Sequence, residues 1–163
     1  MALTADGANS LASKVCQRSC ISVIRRVLSG EIAFVIDENN EVLREYRKNI
    51  YPDYKGSLAE QFMIHALTYQ FFEGRVKRIK LEKNAADQFE DYPDNEDNWT
   101  TSDSRCKRFD PDDKKWVALA LRFKSETGTD APIVNAADRC WIAFESHLKS
   151  ADVILETLCR EER

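Results

Sequence analysis

The stretch that most constrains this chain runs from Phe109 to Asp138. Residues Phe109-Asp110-Pro111-Asp112-Asp113-Lys114-Lys115-Trp116-Val117-Ala118-Leu119-Ala120-Leu121 read as a helix opened by carboxylates. After a short loop, Pro132-Ile133-Val134-Asn135-Ala136-Ala137-Asp138 reads as a buried strand that ends in another carboxylate. In open α/β sheets the carboxyl ends of strands and the helix starts above them form the crevice where ligands bind. Taken alone, Asp110 is a good N-cap, Pro111 suits the first helical position, and Asp112 and Asp113 complement the helix dipole, so the segment is also an ordinary helix start. A functional reading needs more carboxylates sent to the same edge.

The rest of the chain supplies candidates. Leu3-Thr4-Ala5 is a short strand signal running into the turn set Asp6-Gly7-Ala8-Asn9, which places Asp6 just past a strand's carboxyl end. Ser10 to Gly30 reads as a helix broken once, with Gly30 as its stop. Ile32-Ala33-Phe34-Val35-Ile36 is a continuous apolar run suited to a strand covered on both faces, closed by Asp37-Glu38-Asn39-Asn40. Glu41 to Asn49 makes the next helix, with Glu45 in its middle, and from that stretch alone Glu45 is a solvated residue paired with Lys48 or Asn49. Leu58, Phe62, His65, Ala66, Tyr69 and Phe72 trace an apolar stripe, on which His65 reads as a hydrogen-bonded core histidine.

Val76 to Leu81 is predicted as a strand near a sheet edge, with lysines that discourage pairing to other chains. Asp87 to Asp97 is crowded with acids but lacks the spacing of a calcium loop, and reads as a solvated excursion or a partner-binding loop. Trp141 to Leu148 is a short helix, and Val153-Ile154-Leu155 the last strand. Strands alternating with helices predict a mostly parallel sheet with helices on both faces. Without internal repeats or a linker, residues 1–163 read as one domain.

Composition narrows the function. A net charge of −4 argues against unspecific nucleic-acid binding through a broad basic surface, yet a cluster of acids that gathers cations would contribute to that balance. No run approaches a membrane span, and Met1 to Gly30 lacks a basic start followed by an apolar signal core, so a cytoplasmic protein is expected. Cys16, Cys20, Cys106, Cys140 and Cys159 are odd in number and contain no C-x-x-C pair, so they read as packing residues in a reducing compartment rather than a disulfide framework or a zinc site.

The acids now fall in order: Asp6 after the first strand, Glu45 on the helix after the second, Asp113 opening a late helix, Asp138 after a late strand. With Leu3-Thr4-Ala5-Asp6, Val42-Leu43-Arg44-Glu45-Tyr46, Asp113-Lys114-Lys115-Trp116-Val117-Ala118-Leu119-Ala120 and Ile133-Val134-Asn135-Ala136-Ala137-Asp138, the chain resembles the PIN-domain nucleases, including the toxins of toxin–antitoxin pairs. The resemblance implies a three-layer α/β/α sandwich with a mostly parallel central sheet. It also implies a Mg²⁺ or Mn²⁺ site in which Asp6, Glu45, Asp113 and Asp138 are both ligands and catalytic residues, acting as an endonuclease on RNA or, as the lesser option, single-stranded DNA.

Asp113 is preferred to Asp112 because Trp116 and Ala120 stand where the family has an aromatic or aliphatic residue and a small one. The chain departs from the family at Ala8, where its asparagine usually stands, at Ala136 in place of Ser or Thr, and at Cys140 in place of a further acid. Family toxins imply an antitoxin or other protein partner and pairing as a homodimer, and the want of an apolar span predicts no membrane association. The physics agrees with a metal: two charges about 4 Å apart repel by about 4 kcal/mol at an effective dielectric near 20, so four clustered carboxylates need a cation or must take up protons. The alternative of another class is an inert PIN-like scaffold, which the departures at Ala136 and Cys140 favour. A metal-dependent phosphatase on another parallel-sheet fold ranks last, for want of an early D-x-D pair.

Overall fold

The computed structural model describes residues 1–7, 12–49, 56–72, 74–95 and 98–160. Expectations resting on Ala8, Asn9, Leu11, Pro52, Asp53, Glu96 and Asp97 lie outside those residues. The element order is α1 (Ala2–Ala5), α2 (Lys14–Ser29), β1 (Phe34–Asp37), α3 (Glu41–Asn49), α4 (Leu58–Tyr69), β2 (Val76–Ile79), a 3₁₀ turn (Pro111–Asp113), α5 (Lys114–Thr127), β3 (Ile133–Asn135), α6 (Arg139–Ala143), α7 (Glu145–Ser150) and β4 (Leu155–Thr157).

The fold is mixed α/β with short parallel strands in two sheets. Strand β1 pairs in parallel with β2, Phe34 opposite Val76 and Asp37 opposite Ile79. Strand β3 pairs in parallel with β4, Ile133 opposite Leu155 and Asn135 opposite Thr157. One continuous sheet was expected, but among the described residues no ladder joins the two pairs. Helix α5 packs against both β1 and β3.

Local sequence accounts for most element ends. Ser13 caps α2 by accepting from the Cys16 N–H, and Cys16, Cys20, Ile24 and Val27 form its buried stripe. The helix stops at Gly30, whose φ of 77° is left-handed and whose absent side chain leaves room for the Arg75 guanidinium. The expected break in this helix does not occur between Lys14 and Ser29. Strand β4 falls at Leu155–Thr157, two residues later than Val153, which is buried in the core instead. The expected helix from Trp141 to Leu148 is two helices meeting at Phe144, a fully buried ring.

The first strand is where the fold departs most from expectation. Leu3-Thr4-Ala5 lies in the one-turn helix α1, which packs on α2 and α4. Three residues of weak strand signal carry little intrinsic preference, and contacts with neighbours override it. His65 is buried against Tyr69, as expected of a core residue, but its Nε2 has no hydrogen-bond partner among the described residues. Burial, and then the Arg75 charge, hold its pKa below the ordinary value.

The cysteines correct a further expectation. Cys16 bonds to Cys159 and Cys106 to Cys140, with Cα atoms 5.1 and 5.3 Å apart. The spacing rule failed because partners that are 143 and 34 residues apart leave no local pattern. Cys20 is outside both bonds, buried beside Cys16 and Cys159.

The acidic excursion is solvated only in part. Asp87, Glu90 and Asp94 are exposed, whereas Trp99 just beyond them is buried among Phe109, Phe144, Tyr92 and the stacked His147 ring. Trp99→Ala is therefore expected to destabilise the protein by about 3–5 kcal/mol, the usual result of emptying a buried aromatic site. Urea unfolding checks this; a loss under about 1 kcal/mol would show that the excursion is unanchored.

Candidate active site

Each candidate acid is positioned by its own local device. Glu45 lies on α3, whose start is fixed by the fully buried Asp37: its two carboxylate oxygens accept from the N–H groups of Glu41 and Val42, both at 2.8 Å. Glu45 was expected to pair with Lys48 or Asn49, and the Asn49 side chain lies outside the described residues. The Glu45 Oε2 lies 3.2 Å from Nζ of Lys115, a lysine only 7% exposed.

Asp113 ends the 3₁₀ turn that leads into α5. Asp110 caps that turn by accepting from the Asp112 N–H at 2.9 Å. With the capping done, the partly buried Asp113 side chain makes no cap hydrogen bond to α5. Asp112 is exposed and contributes its carbonyl to Lys115 Nζ.

Asp138 follows β3 on a turn clamped by Asn135. The Asn135 amide donates to the Asp138 carbonyl at 2.8 Å, and the Asp138 N–H donates back to Asn135 Oδ1 at 3.0 Å. The Asp138 carboxylate then caps α6 by accepting from the Cys140 N–H at 2.8 Å. Cys140, which stands where a further acid was expected, is held in the bond to Cys106.

Glu45, Asp113 and Asp138 all line one cavity of about 920 Å³, together with Asn135, Trp116 and Trp141. Their charges are coupled. Burial first, then the carboxylates of Asp138 and Asp110, push the Asp113 pKa up to about 7; Lys115 pulls it back and Glu45 adds to the rise. The Met1 α-amino group also lines this region, its pKa lowered by burial and partly restored by Cys20 and Asp138. The acids are not drawn into a closed shell: among the described residues the only group of three ligand-type side chains within 4.8 Å of one another is Cys16, Cys20 and Cys159.

Asp6 is placed elsewhere. Its two oxygens accept from the N–H groups of Leu58 and Ala59 at 2.7 and 2.8 Å, so it caps α4 from outside. The helical form of α1 keeps it from the strand end where the sequence had placed it. Three of the four candidate acids thus meet at one cavity and the fourth does not.

Lys115 and Asn135 were not singled out from the sequence, whereas Asp110 was read as an N-cap and caps the 3₁₀ turn. Asn135 had a readable signal, since Asn three residues before an Asp at a strand end is a common turn clamp. Lys115 had none, because its partner Glu45 is 70 residues away.

The raised Asp113 pKa has a consequence for stability. A carboxyl that keeps its proton to about 7 when folded and to about 3.9 when unfolded contributes most below pH 4, and its contribution is lost as pH rises to 7. Asp113→Asn removes that cost, so the variant should exceed wild type by about 1–2 kcal/mol at pH 8 after solvent screening, and match it at pH 4. Thermal melts at the two pH values check this, and a variant less stable at pH 8 would show the carboxylate to be structural.

Comparison of the chain with family models, with curated proteins and with solved structures gave no match.

Proposed function

We propose that the protein is a Mg²⁺- or Mn²⁺-dependent endoribonuclease whose acidic site is built on Glu45, Asp113 and Asp138. The observation that carries this reading is a set of three carboxylates at one cavity, with one of them forced to hold its proton to about neutrality. That is the electrostatic state of acids that a cation would relieve. The donors are hard oxygens, so they fit Mg²⁺ or Mn²⁺ rather than a soft metal, and their spread leaves room for the waters that Mg²⁺ retains. When bound, such an ion supplies a water of lowered pKa and neutralises charge at the scissile phosphate.

The chain's own residues do the rest. Asp113, which holds its proton to about neutrality in the metal-free protein, would give it up to ligate the ion. Asn135 holds the turn that aims Asp138, and Lys115 holds Glu45. The finer architecture, a three-layer α/β/α sandwich, belongs to the same reading; what supports it is that α5 packs against both β1 and β3 and that α2 and α5 both line the cavity. RNA as substrate, like the toxin role, rests on the PIN-domain resemblance. A protein partner or a second copy has a candidate surface in Ile64, Leu67, Phe71 and Phe72, which are exposed along and just beyond α4. No helix among the described residues is long and apolar enough to cross a membrane.

A second reading, an inert scaffold, is favoured by one observation: the Lys115 ammonium already pairs with Glu45 while Asp6 is committed to α4. The test is cleavage of labelled single-stranded RNA, structured RNA and single-stranded DNA oligonucleotides with Mg²⁺, Mn²⁺ or EDTA. The nuclease reading expects metal-dependent cleavage of RNA abolished by EDTA. Metal binding without cleavage of any substrate supports the scaffold.

A further inference from the structure

A disulfide needs two sulfurs, and the start of α2 brings three together. Cys16 and Cys20 stand one turn apart on the buried face of α2, and Cys159 follows β4. Their three Sγ atoms lie within 4.8 Å of one another, and all three residues are buried. The surrounding shell is apolar, made by Ala5, Ile24, Val27, Ala59, Phe62 and Ala136. Three sulfurs in such a shell could not all carry charge without a cation among them.

The geometry suits a soft, tetrahedral ion. Zn²⁺ binds thiolate sulfur at about 2.3 Å, which sets the sulfurs of one site roughly 3.8 Å apart, inside the spread observed. The backbones are already in place: the Cα atoms of Cys16 and Cys159 are 5.1 Å apart, and the Leu158 N–H donates to the Asn135 carbonyl at 2.9 Å, fixing the segment that carries Cys159. Cys16 lies in the first turn of α2, where the helix dipole favours negative charge. Met1 packs against the same cluster and its α-amino group feels the charge of Cys20, so a nitrogen donor is at hand for the fourth position. Thiolates select Zn²⁺ over Mg²⁺, so this site and the carboxylates above draw on different ions.

We propose that Cys16, Cys20 and Cys159 form a Zn²⁺ site in the reduced protein, the ion replacing the Cys16–Cys159 disulfide as the tie between α2 and the segment after β4. Two molecules of a thiol reductant open the bond and leave joined as their own disulfide. The two electrons and two protons they give up convert the Cys16 and Cys159 sulfurs into thiols. Zn²⁺ then displaces three protons to water, one from each thiol, and forms three Zn–S bonds. Where thiol reductants open disulfides, the ion keeps closed the same 143-residue loop. The proposal does not rest on the acidic-site reading.

The test is a titration of Co²⁺, a coloured stand-in for Zn²⁺, into the full chain before and after a phosphine supplies the two electrons. Expected for the reduced protein is a sulfur-to-cobalt charge-transfer band that Zn²⁺ abolishes, and for the oxidised protein no such band. Cobalt held by carboxylates does not produce this band. Cys20→Ser keeps both partners of the disulfide, and so the oxidised fold, yet once reduced it should bind Zn²⁺ at least about 100-fold more weakly. Zn²⁺ at about 100 times its Kd, added before the phosphine, should raise the melting temperature of the reduced protein by about 5 °C or more over that with a chelator. The proposal is overturned by reduced wild type without the sulfur band, by equal Zn²⁺ affinity in Cys20→Ser, or by a reduced chain that melts alike with Zn²⁺ and with chelator.

Discussion

Asp138→Asn is expected to lower metal-dependent RNA cleavage by at least about 100-fold, more than the 10–100-fold loss usual for a residue that only supports a ligand. The amide keeps the volume of the carboxylate and removes the charge on which a hard cation depends. The fold should survive, because the structural task of Asp138 is to cap α6 through the Cys140 N–H, and Asn caps a helix about as well as Asp. Initial rates on a labelled oligoribonucleotide, with circular-dichroism melts of both proteins, separate the two tasks. Equal rates in variant and wild type would place any activity at another site.

The second large effect is on stability. Reduction of both disulfides is expected to lower the melting temperature by about 10 °C or more. A crosslink closing 143 residues restricts the unfolded chain by about 5 kcal/mol in the chain-entropy treatment, and one closing 34 by about 4 kcal/mol, with measured bonds usually worth 2–4. A domain of this size shifts by roughly 2–4 °C per kcal/mol. Melts with and without a phosphine reductant, with thiol counting under denaturing conditions, check this. Five titratable thiols in the freshly purified protein, with no shift on reduction, would return the cysteines to the packing role that their spacing suggested.

The parts of the fold that could be read from the sequence are those written in short stretches. The apolar run Ile32–Ile36 is strand from Phe34 onward, Ile133–Val134 is strand, Gly30 stops a helix, and α3 begins and ends where its pattern does. Asp113 and Asp138 reach the cavity from a helix start and from a strand end, and Glu45 from the middle of the helix that follows β1, and these features are local. What could not be read depends on distant partners. The burial of Lys115 against Glu45, the two cysteine pairings and the anchoring of Trp99 under Phe109 and Phe144 are set by tertiary packing. Asp6 failed for a different reason: its position hangs on whether five weakly inclined residues pair as a strand or coil against α2 and α4.

The claim that the three acids form a divalent-metal site is tested most directly by calorimetric titration of Mn²⁺ into wild type, Asp113→Asn and Asp138→Asn. Expected for wild type is a saturable binding event that strengthens from pH 6 to pH 8 and releases a proton, as Asp113 gives up the one it holds near neutrality. Each variant should bind at least about tenfold more weakly. Absence of binding by wild type, or equal binding by all three proteins, would contradict the assignment.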